Sequence, residues 1–254
     1  MSRQKTALTN KCLTHLVPGC FRIKPITQAV ILALLLNSNA SLAGPSGGNI
    51  VGGSGSISQS DLNTTINQNS TSLAINWNSF NVNANERVQF IQPNASAIAL
   101  NRILGSNASQ INGRIDANGQ IVLVNPQGVF FGQNASINVG GLIASGLAID
   151  PVDFMNGNYV FNAIDGTAGQ VVNSGTINAS LGGSVSLIGQ QVNNEGLIAA
   201  NLGAVNLAAG KQAVLSFDAD GLMGVRVSKE ILQSELGVDP AVLNSGIITT
   251  GLSS

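Results

Sequence analysis

Apolar residues alternate with polar or small ones in short bursts, and the bursts are separated by turns. Ile177, Ala179 and Leu181 precede Val185 and Leu187; Ile198, Ala200 and Leu202 precede Val205 and Leu207. A period of two predicts strands with one face in a core. Asn178, Ser180, Gly182, Gly183, Asn201 and Gly203 supply turn chemistry between them. The same phrase, Gly-x-Ile-x-Ala followed by a Gly-containing turn and a second apolar burst, begins at Gly113, Gly175 and Gly196, the last two 21 residues apart. A partial copy opens at Asn244-Ser245-Gly246. A period of about 20 residues marks a solenoid, in which no repeat buries its apolar face alone. Helical periodicity is nearly absent, so crossover helices are unavailable. The predicted fold is all-β, a parallel β-helix of coils of about 20 residues.

Three regions depart from the repeat. Residues 44–70 are rich in Gly, Ser and Asn and predict an N-terminal β cap over the first open coil. From Asp150 to Phe161, Phe154, Tyr159 and Phe161 flank Asn156-Gly157, which predicts a hairpin outside the solenoid. Ser228 to Leu236, followed by Gly237, predicts the one helix, with Ser228 as its N-cap.

Charge changes the picture at the N-terminus. Arg3, Lys5, Lys11, Arg22 and Lys24 precede an apolar run, Ala29–Leu36, and then the small residues Ser41-Leu42-Ala43. This is the layout of a secretory signal peptide, here with a long basic region, and residues 1–43 are assigned to it. Cys12, Cys20 and His15, the chain's only Cys and His, lie inside that segment. The remainder, 44–254, therefore holds no disulfide and no His or Cys ligand for zinc or haem. It carries 6 basic and 12 acidic residues, which argues against nucleic acid as a partner.

Several ordered motifs carry a family resemblance. Ile75-Asn76-Trp77-Asn78-Ser79-Phe80 leads to Val88-Gln89-Phe90-Ile91-Gln92-Pro93, then Ala99-Leu100-Asn101-Arg102-Ile103 and Ile111-Asn112-Gly113-Arg114-Ile115. Val122-Leu123-Val124-Asn125-Pro126-Gln127-Gly128-Val129-Phe130-Phe131-Gly132 follows. In this order they resemble the secretion domain of the filamentous haemagglutinin family, the large exoproteins of two-partner secretion in Gram-negative bacteria. The resemblance implies a right-handed parallel β-helix. It also implies export through a dedicated outer-membrane β-barrel transporter, whose periplasmic domains recognise the unfolded or partly folded domain. The family's Asn-Pro-Asn-Gly-Ile signature falls on Asn125, Pro126, Gln127, Gly128 and Val129, with Gln127 in place of the second Asn. These first four residues are the candidate transporter-recognition motif. Adhesion or haemagglutination at the cell surface, with a host-cell or surface receptor, is the downstream role the family implies.

The same residues have plainer readings. Asn-Pro-Gln-Gly is a good turn, with Pro126 presetting φ and Gly128 tolerating φ > 0. Trp77 suits a core or cap plug, and Arg102 and Arg114 suit ion pairs with nearby acids or cover for the coil edges. Parallel β-helices also carry carbohydrate-active enzymes, which need clustered carboxylates; Asp150, Asp153, Asp218 and Asp220 are the residues to watch. The expectation is nonetheless a non-enzymatic module without cofactor or metal. A targeting fragment of a contact-dependent toxin or of a haem-acquisition exoprotein stays open beside the adhesin reading. The copy that opens at Gly246 is the start expected of a further coil.

Overall fold

The computed structural model describes residues 44–217, 223–229 and 240–251. They wind as a parallel β-helix of about six coils with three strand faces. The first face stacks Asn63–Gln68, Arg87–Ile91, Arg114–Ala117, Ser136–Val139, Thr176–Ala179, Leu197–Ala200 and Ile247–Thr249. The second stacks Ser72–Trp77, Ile98–Ile103, Gln120–Val124, Gly141–Ser145, Val185–Gly189 and Val205–Ala209. The third stacks Ser109–Ile111, Val129–Phe131, Gln170–Asn173, Gln191–Asn194 and Val242–Asn244.

In-register pairing sends like residues to like places. Val88, Ile115, Ile137, Ile177 and Ile198 form one buried file along the first face. Leu73, Ala99, Ile121, Leu142 and Val185 form another along the second. Each fully buried Ile or Leu contributes about 1.5–3 kcal/mol. These files are the core, and the partial copy at Gly246 adds Ile247–Thr249 to the first face, paired with Leu197–Ala200.

The predicted cap is present. Asn49–Gly52 runs antiparallel along Ser72–Trp77, and Gly55–Ser60 runs antiparallel along Asn63–Gln68. Ile50 and Ile57 lean onto the core from these strands. Trp77 fills the space beneath, almost fully buried, with its Nε1 donating to Asn101 Oδ1 at 3.0 Å and its ring edge-on to Phe80. Gly48 is required above it: a Cβ there would come within 2.5 Å of the indole.

The structure corrects four expectations. Leu181 and Leu202 continue the alternation on paper, but they are 69% and 57% exposed. The strands end before them, and the chain turns through Gly182 (φ +77°) and through Leu202 itself (φ +58°). Second, the second face is buried on both sides, so Val122, Val124, Ile143 and Ile188 point outward yet are covered. Third, Asp150–Phe161 is not a hairpin. Asp150 caps a single helical turn, Pro151–Met155, by accepting from Val152 N at 2.7 Å, with Pro151 in the first turn. Asn156 and Gly157 (φ +79°) end that turn, using the same left-handed glycine a hairpin would have used. Fourth, Ser228 lies in the strand Met223–Lys229, not at a helix N-cap; the rest of the expected helix falls outside the described residues. The expected signal peptide, residues 1–43, also lies outside them.

The extra-helical hairpin does exist, at a different place. Gln212–Phe217 pairs antiparallel with Met223–Lys229, and Val160–Asn162 adds to its other edge. Both excursions leave the solenoid between the second and third faces and meet each other. Phe154, Phe161, Leu215 and Met223 supply the apolar cover over the second face. Phe154, Tyr159 and Phe217 lock the excursions together through successive edge-to-face contacts at 5.7 and 5.3 Å. Burial raises the Tyr159 hydroxyl above its ordinary pKa.

Candidate functional site

Asn125, Pro126, Gln127 and Gly128 form the corner between the second and third faces in the third coil. The strand Gln120–Val124 ends at Asn125, because Pro126 has no N–H to continue the ladder. The Gly128 N–H donates to Asn125 O at 2.9 Å and closes the turn, while Gln127 N–H donates to Asn125 Oδ1 at 3.0 Å. Gly128 sits at φ +122°, and a Cβ there would press within 2.9 Å of the Phe130 ring. Glycine is therefore demanded twice at this position, by conformation and by space.

The turn is tied to both neighbouring coils. Asn125 Nδ2 donates to Asn107 O and Ser109 Oγ, each at 3.0 Å, in the preceding coil. Asn125 N donates to Ser145 O, and Pro126 O accepts from Gly169 N, each at 2.9 Å, in the following one. Asn125 is fully buried and Gly128 is buried, so only Pro126 and Gln127 reach the surface. The structure thus divides the motif into two residues that shape the corner and two that a partner could touch. Nothing in residue identity distinguishes these roles; they follow from which coil lies above and below.

Beside Pro126 and Gln127 opens a cleft of about 300 Å³. Arg102, Leu104, Ile164 and Thr167 form its other walls. Leu104 is 56% exposed and Ile164 is 47% exposed. Sequence reasoning missed both, because each sits in an irregular connection where no periodicity marks it. Arg102 takes only the second of its two expected roles, at a coil edge. Among the described residues it pairs with no acid, and its strand neighbours in register, Asn76 and Val124, carry no charge. Among the described residues its Nε is buried without a hydrogen-bond partner, as is Oδ1 of Asn76.

Arg114 behaves as expected. With Arg87 it holds Asp116 on the outer side of the first face, each Nε 2.6 Å from Oδ2. Burial alone would raise the Asp116 pKa, but hydrogen bonds from Arg114 and Arg87, and their charges, bring it below the ordinary carboxylate value. The enzyme reading finds no support in what can be placed. Asp150 is engaged as a helix cap, Asp153 lies in that helix's first turn, and Asp218 and Asp220 are outside the described residues. Among the described residues no three His, Cys, Asp or Glu side chains gather as a metal site.

Known proteins place this chain in context. Residues 43–241 match the family model of the TPS secretion domain. The chain is 38% identical over 216 residues to a heme/hemopexin-binding protein of Haemophilus influenzae, covering 82% of this chain and 23% of that protein. A second Haemophilus influenzae heme/hemopexin-binding protein is 43% identical over 97 residues, covering 38% of this chain and 10% of its own length. The fold is similar to the crystal structure of the HMW1 secretion domain from Haemophilus influenzae, with a TM-score of 0.71 and 33% identity over 82% of this chain and 54% of that one. The chain therefore spans under a quarter of the length of these two curated relatives.

Proposed function

Because this chain belongs to the TPS secretion domain family, the secretion modules of two-partner secretion exoproteins, we propose that residues 44–254 direct its export through an outer-membrane β-barrel transporter. The match across residues 43–241, which takes in nearly the whole β-helix, carries this reading. Residues 1–43 act first, as a signal peptide that delivers the chain to the periplasm. The transporter's periplasmic domains then recognise the corner Asn125-Pro126-Gln127-Gly128. Contact is made by Pro126 and Gln127, while Asn125 and Gly128 are positioning residues that hold the turn. Recognition needs only the coils from the cap to Gln170 to be wound, since the turn's hydrogen bonds end at Ser145 and Gly169. The module is not catalytic, and the exported product reaches the cell surface or medium.

Fusion of residues 1–254 to a reporter tests the reading. The reporter is expected outside the cell only when a cognate transporter is co-expressed. Equal export without the transporter, or with residues 44–241 deleted, would contradict it.

The identity of the relatives favours a second reading, in which the exported protein serves haem acquisition rather than adhesion or haemagglutination. In that case this module serves as the export signal, since residues 44–254 offer no His or Cys to a haem iron and Tyr159 is packed edge-on between Phe154 and Phe217. Haem titration of the chain with His15, Cys12 and Cys20 substituted should give no axial-ligand spectrum; a low-spin haem spectrum would refute that division of labour.

A further inference from the structure

The cleft beside Pro126 and Gln127 holds a cation without an anion. Arg102 lies between neutral strand neighbours and has no ion pair or hydrogen bond to its side chain among the described residues. Asp165, exposed on the loop that forms the opposite wall, does not pair with it. A buried guanidinium nitrogen left without an acceptor is costly, and proteins seldom tolerate one unless something else satisfies it. One strand away and directly in register, Asn76 Oδ1 is a buried acceptor in the same condition. Arg102 lines the cleft together with Leu104 and Ile164, which expose apolar surface there.

We propose that this cleft receives an extended segment of the transporter's periplasmic portion that carries a carboxylate for Arg102 and aliphatic side chains for Leu104 and Ile164. The inference rests on the transporter reading above and specifies the chemistry of the same contact. Charge complementarity selects the occupant. An unpaired cation in a partly apolar cleft discriminates against basic or neutral segments, and it gains most when the carboxylate is desolvated with it. Pro126 and Gln127 form one wall, so a segment seated here touches the two exposed residues of the motif while it satisfies Arg102.

The test uses the purified full chain, with the soluble periplasmic portion of the transporter that exports it as the probe. Leu104 is exposed, so its substitution leaves the core untouched and reads only the contact. Leu104→Glu puts a carboxylate beside Arg102, which neutralises it and repels an acidic segment; binding is expected to weaken roughly tenfold. Leu104→Lys should bind at least half as tightly as wild type, because it adds charge of the favourable sign. Arg102→Gln should weaken binding to a similar degree as Leu104→Glu, and if it also lowers the melting temperature the Leu104 pair decides. Equal affinity for wild type, Leu104→Glu and Leu104→Lys would overturn the proposal, as would equal weakening by both Leu104 substitutions, since no charge preference would then exist. Failure of the wild-type chain to bind the probe, together with transporter-independent export, would instead refute the secretion reading itself.

Discussion

Two corners of this β-helix are led by asparagines whose side-chain amides bond to neighbouring coils, and they differ in what lies outside them. At the corner between the third and first faces, Asn173, Asn194 and Asn244 stack in a ladder. Each Nδ2 donates to the next Oδ1, at 2.8 Å from Asn173 to Asn194 and 2.7 Å from Asn194 to Asn244. Each is followed two residues later by Gly175, Gly196 or Gly246. Every rung repeats the one below. Asn125, at the other corner, has no asparagine above or below it in register. It spends its amide on Asn107, Ser109 and Gln127 and opens onto the Arg102 cleft. The ladder is a device for stacking coils, whereas the Asn125 corner is a singular shape held in place by its neighbours. Repetition is the signature of scaffold, and departure from it points to the site.

The largest perturbation removes both corners at once. Ile177→Asp puts an uncompensated charge into the file shared by the adjacent coils, where Ile177 is fully buried. It should cost more than about 4 kcal/mol and abolish a cooperative melt; an unchanged melting curve would refute the inward placement. Asn125→Ala comes next. It leaves Gln127 N, Asn107 O and Ser109 Oγ without their partner, a loss of about 3 kcal/mol by denaturant titration. It is also expected to reduce export. Asn194→Ala breaks the ladder in the middle and should cost about 2 kcal/mol, but the export of whatever remains folded should equal that of wild type. A parallel loss of export in the two alanine variants at matched stability would erase the distinction between the corners.

The smallest effect lies on the first face, remote from either corner. Asp116 has its pKa lowered in the folded chain, so its contribution to stability is present above its unfolded value near ~3.9 and is lost as pH falls through the lower folded value. Its arginine partners are 41% and 56% exposed, so Asp116→Asn should cost under about 1 kcal/mol at neutral pH. The difference from wild type should vanish in acid; a difference that grew as pH fell would contradict the sign.

What could be read in advance followed the periodicity. The coils, the inward files, the cap and the Trp77 plug are all local patterns, with a period of two and a turn of Gly, Asn or Ser. Double burial of the second face was also written in the chain, as unbroken apolar runs such as Ile121-Val122-Leu123-Val124, which is how strands covered on both sides read. The antiparallel partner of Val160–Asn162 was not, because it arrives 50 residues later, in Gln212–Phe217. Asn156-Gly157 illustrates a true ambiguity, since a left-handed glycine serves a helix end as well as a hairpin. The motif itself was legible as a motif and as a turn. Its division into positioning and exposed residues, and the unpaired state of Arg102, depend on neighbours contributed by other coils, which no single segment encodes.

The central claim is that the exposed lip of the Asn125 corner, and not the equivalent lip of the ladder, is read during export. Two charge substitutions at surface positions compare them directly. Gln127→Glu alters the first lip, where no hydrogen bond to the Gln127 side chain is lost, and Ser245→Glu alters an exposed residue of the ladder corner. The measurement is the fraction of reporter, fused to residues 1–254, that reaches the medium with the transporter present. The account predicts roughly tenfold less export for Gln127→Glu and wild-type export for Ser245→Glu. Wild-type export of Gln127→Glu, with the same transporter dependence, would contradict it.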